Sequence, residues 1–252
     1  MPGLWLALIV IAAAPAAIAS ARSASPPSAD TRNEGGIVDI VTSLGYERAS
    51  AAGTGQVLTA TGEILTNNHV IRGATTISVT DVGNGRTYSA TVVGYDPSHD
   101  IAVLQLTGAA GLQTATLGDS SKATVGEGVI GIGNAGGSGG TPTSAGGSIT
   151  ALDQSIAAAD RFAGAAEQLS GLIEVNAPVQ SGDSGGPLVD GQGRVIGMDT
   201  AGSAGFVLSS TDNQAYAIPI NEALATASQI EAGHSSVTIH VGPTAFLGVT
   251  VA

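Results

Sequence analysis

Gly182-Asp183-Ser184-Gly185-Gly186-Pro187 is the stretch on which the reading of this 252-residue chain turns. A serine hydroxyl is a poor nucleophile alone. It becomes a good one beside a general base and facing backbone N–H groups that can receive an oxyanion. Here the serine sits in a tight turn flanked by residues without a Cβ. Gly182 has the backbone freedom to aim its own N–H and that of Ser184 at one point. Gly182, Asp183 and Ser184 are therefore the candidate oxyanion-hole residues, and Ser184 is the candidate nucleophile. The bland alternative is a serine in a glycine-rich turn. A base and an orienting acid elsewhere in the chain would decide against it.

Both have candidates upstream. His69 lies in Leu65-Thr66-Asn67-Asn68-His69-Val70, and Asp100 in Ser98-His99-Asp100-Ile101-Ala102-Val103-Leu104. The chain order His, Asp, Ser is that of chymotrypsin-like double barrels, whereas subtilisins and α/β-hydrolases use other orders. Each residue stands at a strand edge. Gly55–Leu58 and Glu63–Thr66 read as strands around a Thr61-Gly62 turn, with His69 directly after. Asp100 opens the apolar run Ile101–Leu106. His69, with an ordinary pKa near about 6.5, suits taking the Ser184 proton and returning it to a leaving amine. Asp100 would orient the imidazole and stabilise its charged form. The neighbouring His99 is expected to point to solvent.

TNNHV at 66–70, the HDIAVLQL run, LGDS at 117–120, GDSGGPLVDGQGRVIGMDT at 182–200 and YAIPI at 216–220 together resemble the HtrA/DegP-type trypsin-like serine proteases, most of all their secreted actinobacterial PepA-type branch. The resemblance covers about residues 36–252, and several motifs in order are more specific than any one. It implies an all-β, two-barrel chymotrypsin/trypsin-like serine protease fold with a short C-terminal helix. It implies a secreted endopeptidase that cleaves unfolded or envelope polypeptides through an acyl-enzyme, with a chaperone-like module carrying a largely idle protease as the alternative. A homo-trimer is a possible assembly. The base of a substrate pocket is expected six residues before the nucleophile, at Pro178, with the opposite wall at about Asp199–Ala201, Thr200 and Ala201 foremost. Pro178 is not an acid, so a preference for small aliphatic P1 residues is expected in place of Lys or Arg. Asp183 stands where the family often has Asn. In zymogen-type trypsins the matching Asp pairs with a liberated N-terminus, but no Lys or Arg precedes Ile37-Val38, so what balances Asp183 is open.

Composition narrows the chemistry. Eight Lys and Arg against 20 Asp and Glu leave a net charge of −12, which argues against nucleic-acid binding. The absence of cysteine removes disulfides, thiol catalysis and thiolate metal sites. No H-E-x-x-H occurs among the four histidines, so no metal and no cofactor is expected, and His234 and His240 read as exposed residues of a linker. Gly131-Ile132-Gly133-Asn134-Ala135-Gly136 matches G-x-G-x-x-G literally. The glycine-rich residues after it cannot open the helix a dinucleotide site needs, so it reads as a flexible surface loop.

Residues 4–19 are apolar, interrupted at Pro15, and are short for a membrane span. With the A-x-A sites Ala17-Ile18-Ala19 and Ala19-Ser20-Ala21, residues 1–21 read as a signal peptide, which implies a secreted or cell-envelope location with no membrane span in the mature chain. Residues 22–35 read as a flexible N-terminal segment. Residues 36–232 read as the protease domain, with barrel 1 at about 36–117 and barrel 2 at about 125–232. Ala157–Gly171 is expected to be mostly loop, and Asn221–Ala232 a helix stopped by Gly233. Residues 233–252 read as a linker and the first strand of an incomplete PDZ domain.

Overall fold

The computed structural model describes residues 35–45, 49–159, 166–201 and 214–242. The expected signal peptide, nearly all of the flexible segment and the PDZ-like stretch from 243 onward lie outside them. Six antiparallel strands form the first half: β1 (Ile37–Leu44), β2 (Ala49–Val57), β3 (Glu63–Thr66), β4 (Thr76–Asp81), β5 (Thr87–Asp96) and β6 (Ile101–Leu106). The order β5-β4-β1-β2-β3-β6 closes because β6 also pairs with β5. A single helical turn, α1 (Asn68–Ile71), leaves the end of β3.

The second half is a closed barrel of β7 (Gly128–Gly133), β8 (Thr143–Ala159), β9 (Ala166–Val175), β10 (Pro187–Val189), β11 (Val195–Ala201) and β12 (Ala215–Pro219), in the order β10-β11-β12-β9-β8-β7. Helix α2 (Ile220–Glu231) follows, then β13 (His240–Val241). The molecule is thus the expected all-β, two-barrel trypsin-like fold.

Residue alternation explains how the barrels meet. A strand sends successive side chains to opposite faces. On β6, Ala102 and Leu104 face the interior of barrel 1, while Ile101 and Val103 join the core between the barrels. On β7, Val129 faces the interior of barrel 2, and Ile130 and Ile132 face that same shared core. Both faces are buried, so these strands read as continuous apolar runs. Helix α2 buries Ile220, Ala223, Thr226, Ala227 and Ile230, a stripe at helical spacing. It packs on β5 and β6 of one barrel and on β11 and β12 of the other. The chain crosses between barrels within two residues. Ala115 N–H donates to Val57 O, and Thr116 O accepts from Val195 N–H.

Three expectations change. Much of Ala157–Gly171 is strand, because β8 and β9 pair through Ile156↔Leu169 and Ala157↔Gln168, and Ile156 and Leu169 are buried in the shared core. The residues after α2 turn back, so that His240 and Val241 pair with Tyr95 and Gly94 of β5; His240 is a strand residue stacked near Tyr95, while His234 is exposed. The G-x-G-x-x-G stretch is half strand β7, and its Asn134 is buried. Among the described residues no helix is long and apolar enough to cross a membrane.

Candidate active site

The site forms where the barrels touch. His69 sits in α1 because the chain turns sharply after the buried end of β3. Asp100 stands immediately before β6, with its backbone at φ 55°. That left-handed conformation is uncommon for a residue with a side chain, and Asp tolerates it better than most. Five donors converge on it. The Asn68 N–H and the Asn67 amide donate to Asp100 O at 3.2 and 3.0 Å. The His69 N–H donates to Oδ1 at 2.9 Å, His69 Nδ1 lies 2.8 Å from Oδ2, and Thr200 Oγ1 donates to Oδ2 at 2.6 Å. Asp100 is 1% exposed, so its carboxylate is directed by donors and screened from water. The contact to Nδ1 selects the tautomer with the proton there, which leaves Nε2 of the ring to accept one.

Ser184 arrives from the other barrel onto the same seam. The Thr54 N–H of β2 donates to Ser184 O at 2.8 Å. A Cβ placed on Gly53 would lie 2.7 Å from Val70 Cγ1 and 3.2 Å from Ser184 O, so the residue beside His69 and the carbonyl of Ser184 close on one point of β2.

The nucleophile turn is set peptide by peptide. In a planar trans peptide the N–H points opposite to the preceding C=O. Gly136 N–H holds Ser181 O at 2.7 Å, which turns the Gly182 N–H away from that loop. Thr54 Oγ1 donates to Gly182 O at 2.7 Å, and the Asp183 N–H on the other side of that peptide donates to Gln180 O at 3.1 Å. Gly186 N–H holds Asp183 O at 2.8 Å. Among the described residues the N–H groups of Gly182 and Ser184 are left without an acceptor, and that of Asp183 is not. The Asp183 N–H is thus consumed within the turn. Gly182 needs its lack of a Cβ, since φ is 100° and a Cβ would collide with Asn134 O.

The pocket residues fare unevenly. Pro178 is exposed. Thr200 is fully buried, with its hydroxyl donating to Asp100 Oδ2. The backbone of Ala201 pairs with Tyr216. Val179, which the sequence did not single out, is the buried neighbour. His99 is less free than expected: its Nδ1 lies 2.7 Å from Asp96 Oδ2, and the carboxyl is held below its usual range by the donors Ser98 and His99 against the upward push of burial. Asp183 Oδ2 accepts from the Gln180 N–H at 2.8 Å, and burial raises its pKa. Two other positioning residues escaped notice. Thr54 carries a readable signal, because a Thr between Gly53 and Gly55 in a strand marks a close approach of another backbone. The Asn134–Gly136 turn carries none.

This fold and this seam are those of a trypsin-like serine protease. The trypsin-like peptidase domain matches residues 53–198, and the chain belongs to that family and to its HtrA type. Serine protease PepD of Mycobacterium tuberculosis is 34% identical over 226 residues, spanning 81% of this chain and 47% of PepD. A probable periplasmic serine protease do/HhoA-like of Haemophilus influenzae is 38% identical over 170 residues, 65% of this chain and 34% of that protein. The solved HtrA-type protease AlgW with tripeptide superposes with a TM-score of 0.66 at 31% identity, covering 81% of this chain and 62% of AlgW. The chain thus spans about half the length of PepD or less of its other curated relatives.

Proposed function

We propose that this chain is an extracytoplasmic serine endopeptidase in which Ser184 attacks the peptide carbonyl, His69 moves the proton and Asp100 orients His69. The observation that carries this reading is the pairing of a buried, triply donated Asp100 carboxylate on His69 Nδ1 with a turn in which, among the described residues, the Gly182 and Ser184 N–H groups have no acceptor. His69 Nε2 takes the Ser184 proton as Oγ adds to the carbonyl. The oxyanion then lies against the two N–H groups, and the proton passes to the leaving amine. Water repeats the sequence on the acyl-enzyme. An oxyanion donor of this kind contributes about 3–4 kcal/mol to the transition state.

Unfolded polypeptides are the proposed substrates. A small aliphatic P1 residue is the proposed preference, from the apolar, uncharged Pro178 in the segment before the turn. The extracytoplasmic location rests on the apolar N-terminal stretch and on the periplasmic names of relatives. The test is reaction with a fluorophosphonate probe and cleavage of unfolded casein. Wild-type protein is expected to do both, and Ser184→Ala to lose roughly 10⁶-fold in turnover. If wild type and variant are alike in both assays, the endopeptidase reading fails and an idle binding module replaces it.

A further inference from the structure

Directly behind the nucleophile turn lie two buried carboxyls that the proposed mechanism does not use. Asp183 and Asp199 are 4% and 0% exposed. Asp183 Oδ1 and both oxygens of Asp199 have no hydrogen-bond partner among the described residues. Strand β7 cradles them. A Cβ on Gly131 would come within 2.8 Å of Asp199 Oδ2, and one on Gly133 within 2.8 Å of Asp183 Oδ1. Positions two apart face the same side of a strand, so the carboxyls lie side by side over a strip of β7 that bears no side chain.

Among the described residues no cation answers them. Among those residues, Val179 and Gln180 of the turn segment, Thr143 of β8 and Ala217 of β12 surround them, none of them ionisable. Of the ionisable groups on or beside those elements, Tyr216 of β12 bonds Glu174 of β9, Asp153 of β8 is exposed, and Arg194, just before β11, pairs with Asp190. The ionisable group that faces Asp199 is Asp183. Two ionised carboxylates here would repel in a medium that screens poorly.

The pair is wired to the turn through the backbone. The Gly185 N–H donates to Asp199 O at 2.8 Å, and the Asp199 N–H donates to Gly186 O at 2.9 Å. Asp199 therefore grips the two residues after Ser184, while Asp183 precedes it. We propose that Asp183 and Asp199 are positioning residues that hold the nucleophile turn as a protonated carboxyl pair, so that the turn is ordered while the pair keeps a proton and loosens when both carboxyls ionise. This rests on the reading of Ser184 as nucleophile.

The direction in pH follows from burial. Burial raises both carboxyls, and the charge of Asp183 adds to the rise at Asp199, which lies well above its usual value. The folded chain thus keeps a proton that the unfolded chain has released. Its contribution to stability is complete below the ordinary carboxyl range and is lost as pH climbs through the folded value.

Asp199→Asn keeps the shape and removes the second charge. Fluorophosphonate labelling of the purified protein is followed from about pH 5 to about pH 9, alongside thermal unfolding without substrate. Wild-type labelling is expected to rise as His69 loses its proton, then to fall about tenfold per pH unit once the pair ionises. Asp199→Asn keeps the rising limb and stays flat above it, and its unfolding temperature exceeds that of wild type by a margin that widens with pH. Superposable alkaline limbs, or an unfolding difference independent of pH, would overturn the proposal. If Asp199→Asn does not fold, Asp183→Asn removes the same charge pair and is read the same way. Absence of any Ser184-dependent labelling would overturn the nucleophile reading, and the unfolding comparison would then decide the carboxyl pair by itself.

Discussion

Asp100 shows how much one residue can be asked to hold. Its left-handed backbone is sustained by a set of donors drawn from both barrels, and Thr200 is the one supplied from the far side. A hydrogen bond to a charged group contributes about 1.5–3 kcal/mol, and Thr200→Val deletes this one at nearly constant volume. The expected outcome is a kcat/KM reduced roughly 10- to 100-fold with little change in KM, measured by peptide hydrolysis beside an unfolding curve. A role confined to packing would lower the unfolding temperature and leave turnover intact. The three proposed catalytic residues were legible from their motifs. Thr200 was read as pocket wall because it lies in the right segment. Nothing in a single sequence says which face of β11 looks toward an acid 100 positions earlier.

At the scale of elements, helix α2 is the part whose attachment depends on pH. Glu231 near its end shares a hydrogen bond with Glu63 of β3. Burial, followed by that contact, raises the Glu63 carboxyl to about 7. Glu63 thus binds a proton in the folded chain over a range in which the unfolded chain, near 4.5, has lost it. Docking of α2 on barrel 1 is supported in full below that lower value and is weakened as pH rises through about 7. Glu63→Gln is expected to abolish this part of the alkaline loss, read as the unfolding temperature of variant against wild type at each pH; parallel curves would refute it. This helix was legible from its alanines and the Gly233 stop, and it is found one residue early. The arm made by β8 and β9 was not, because Ala, Glu and Gln carry no strand preference of their own. Cross-strand pairing and the burial of Ile156 and Leu169 impose extended structure there. Peptide orientation in the nucleophile turn was also illegible. It depends on the hydroxyl of Thr54, 128 residues away from the carbonyl of Gly182.

Over the whole molecule, charge and architecture bear on different steps. The excess of 20 acidic over eight basic side chains sets a negative field that favours encounter with cationic chains. At low ionic strength kcat/KM for a lysine-rich unfolded substrate is expected to exceed that for an acidic one by roughly tenfold, with the ratio shrinking toward unity as salt shortens the screening length. Cleavage rates across a salt series test this, and a ratio indifferent to salt would exclude steering.

The barrels divide the proposed machinery: His69, Asp100 and Thr54 come from one, and Ser184, Thr200 and Gly136 from the other. The polypeptide passes from one hydrogen-bonded network to the next between Ala115 and Thr116. Two polypeptides separated at that junction would each be chemically inert, and hydrolysis would return only when they found one another. Turnover in such a split pair is a count of reassembled molecules, which makes this fold its own reporter of complementation.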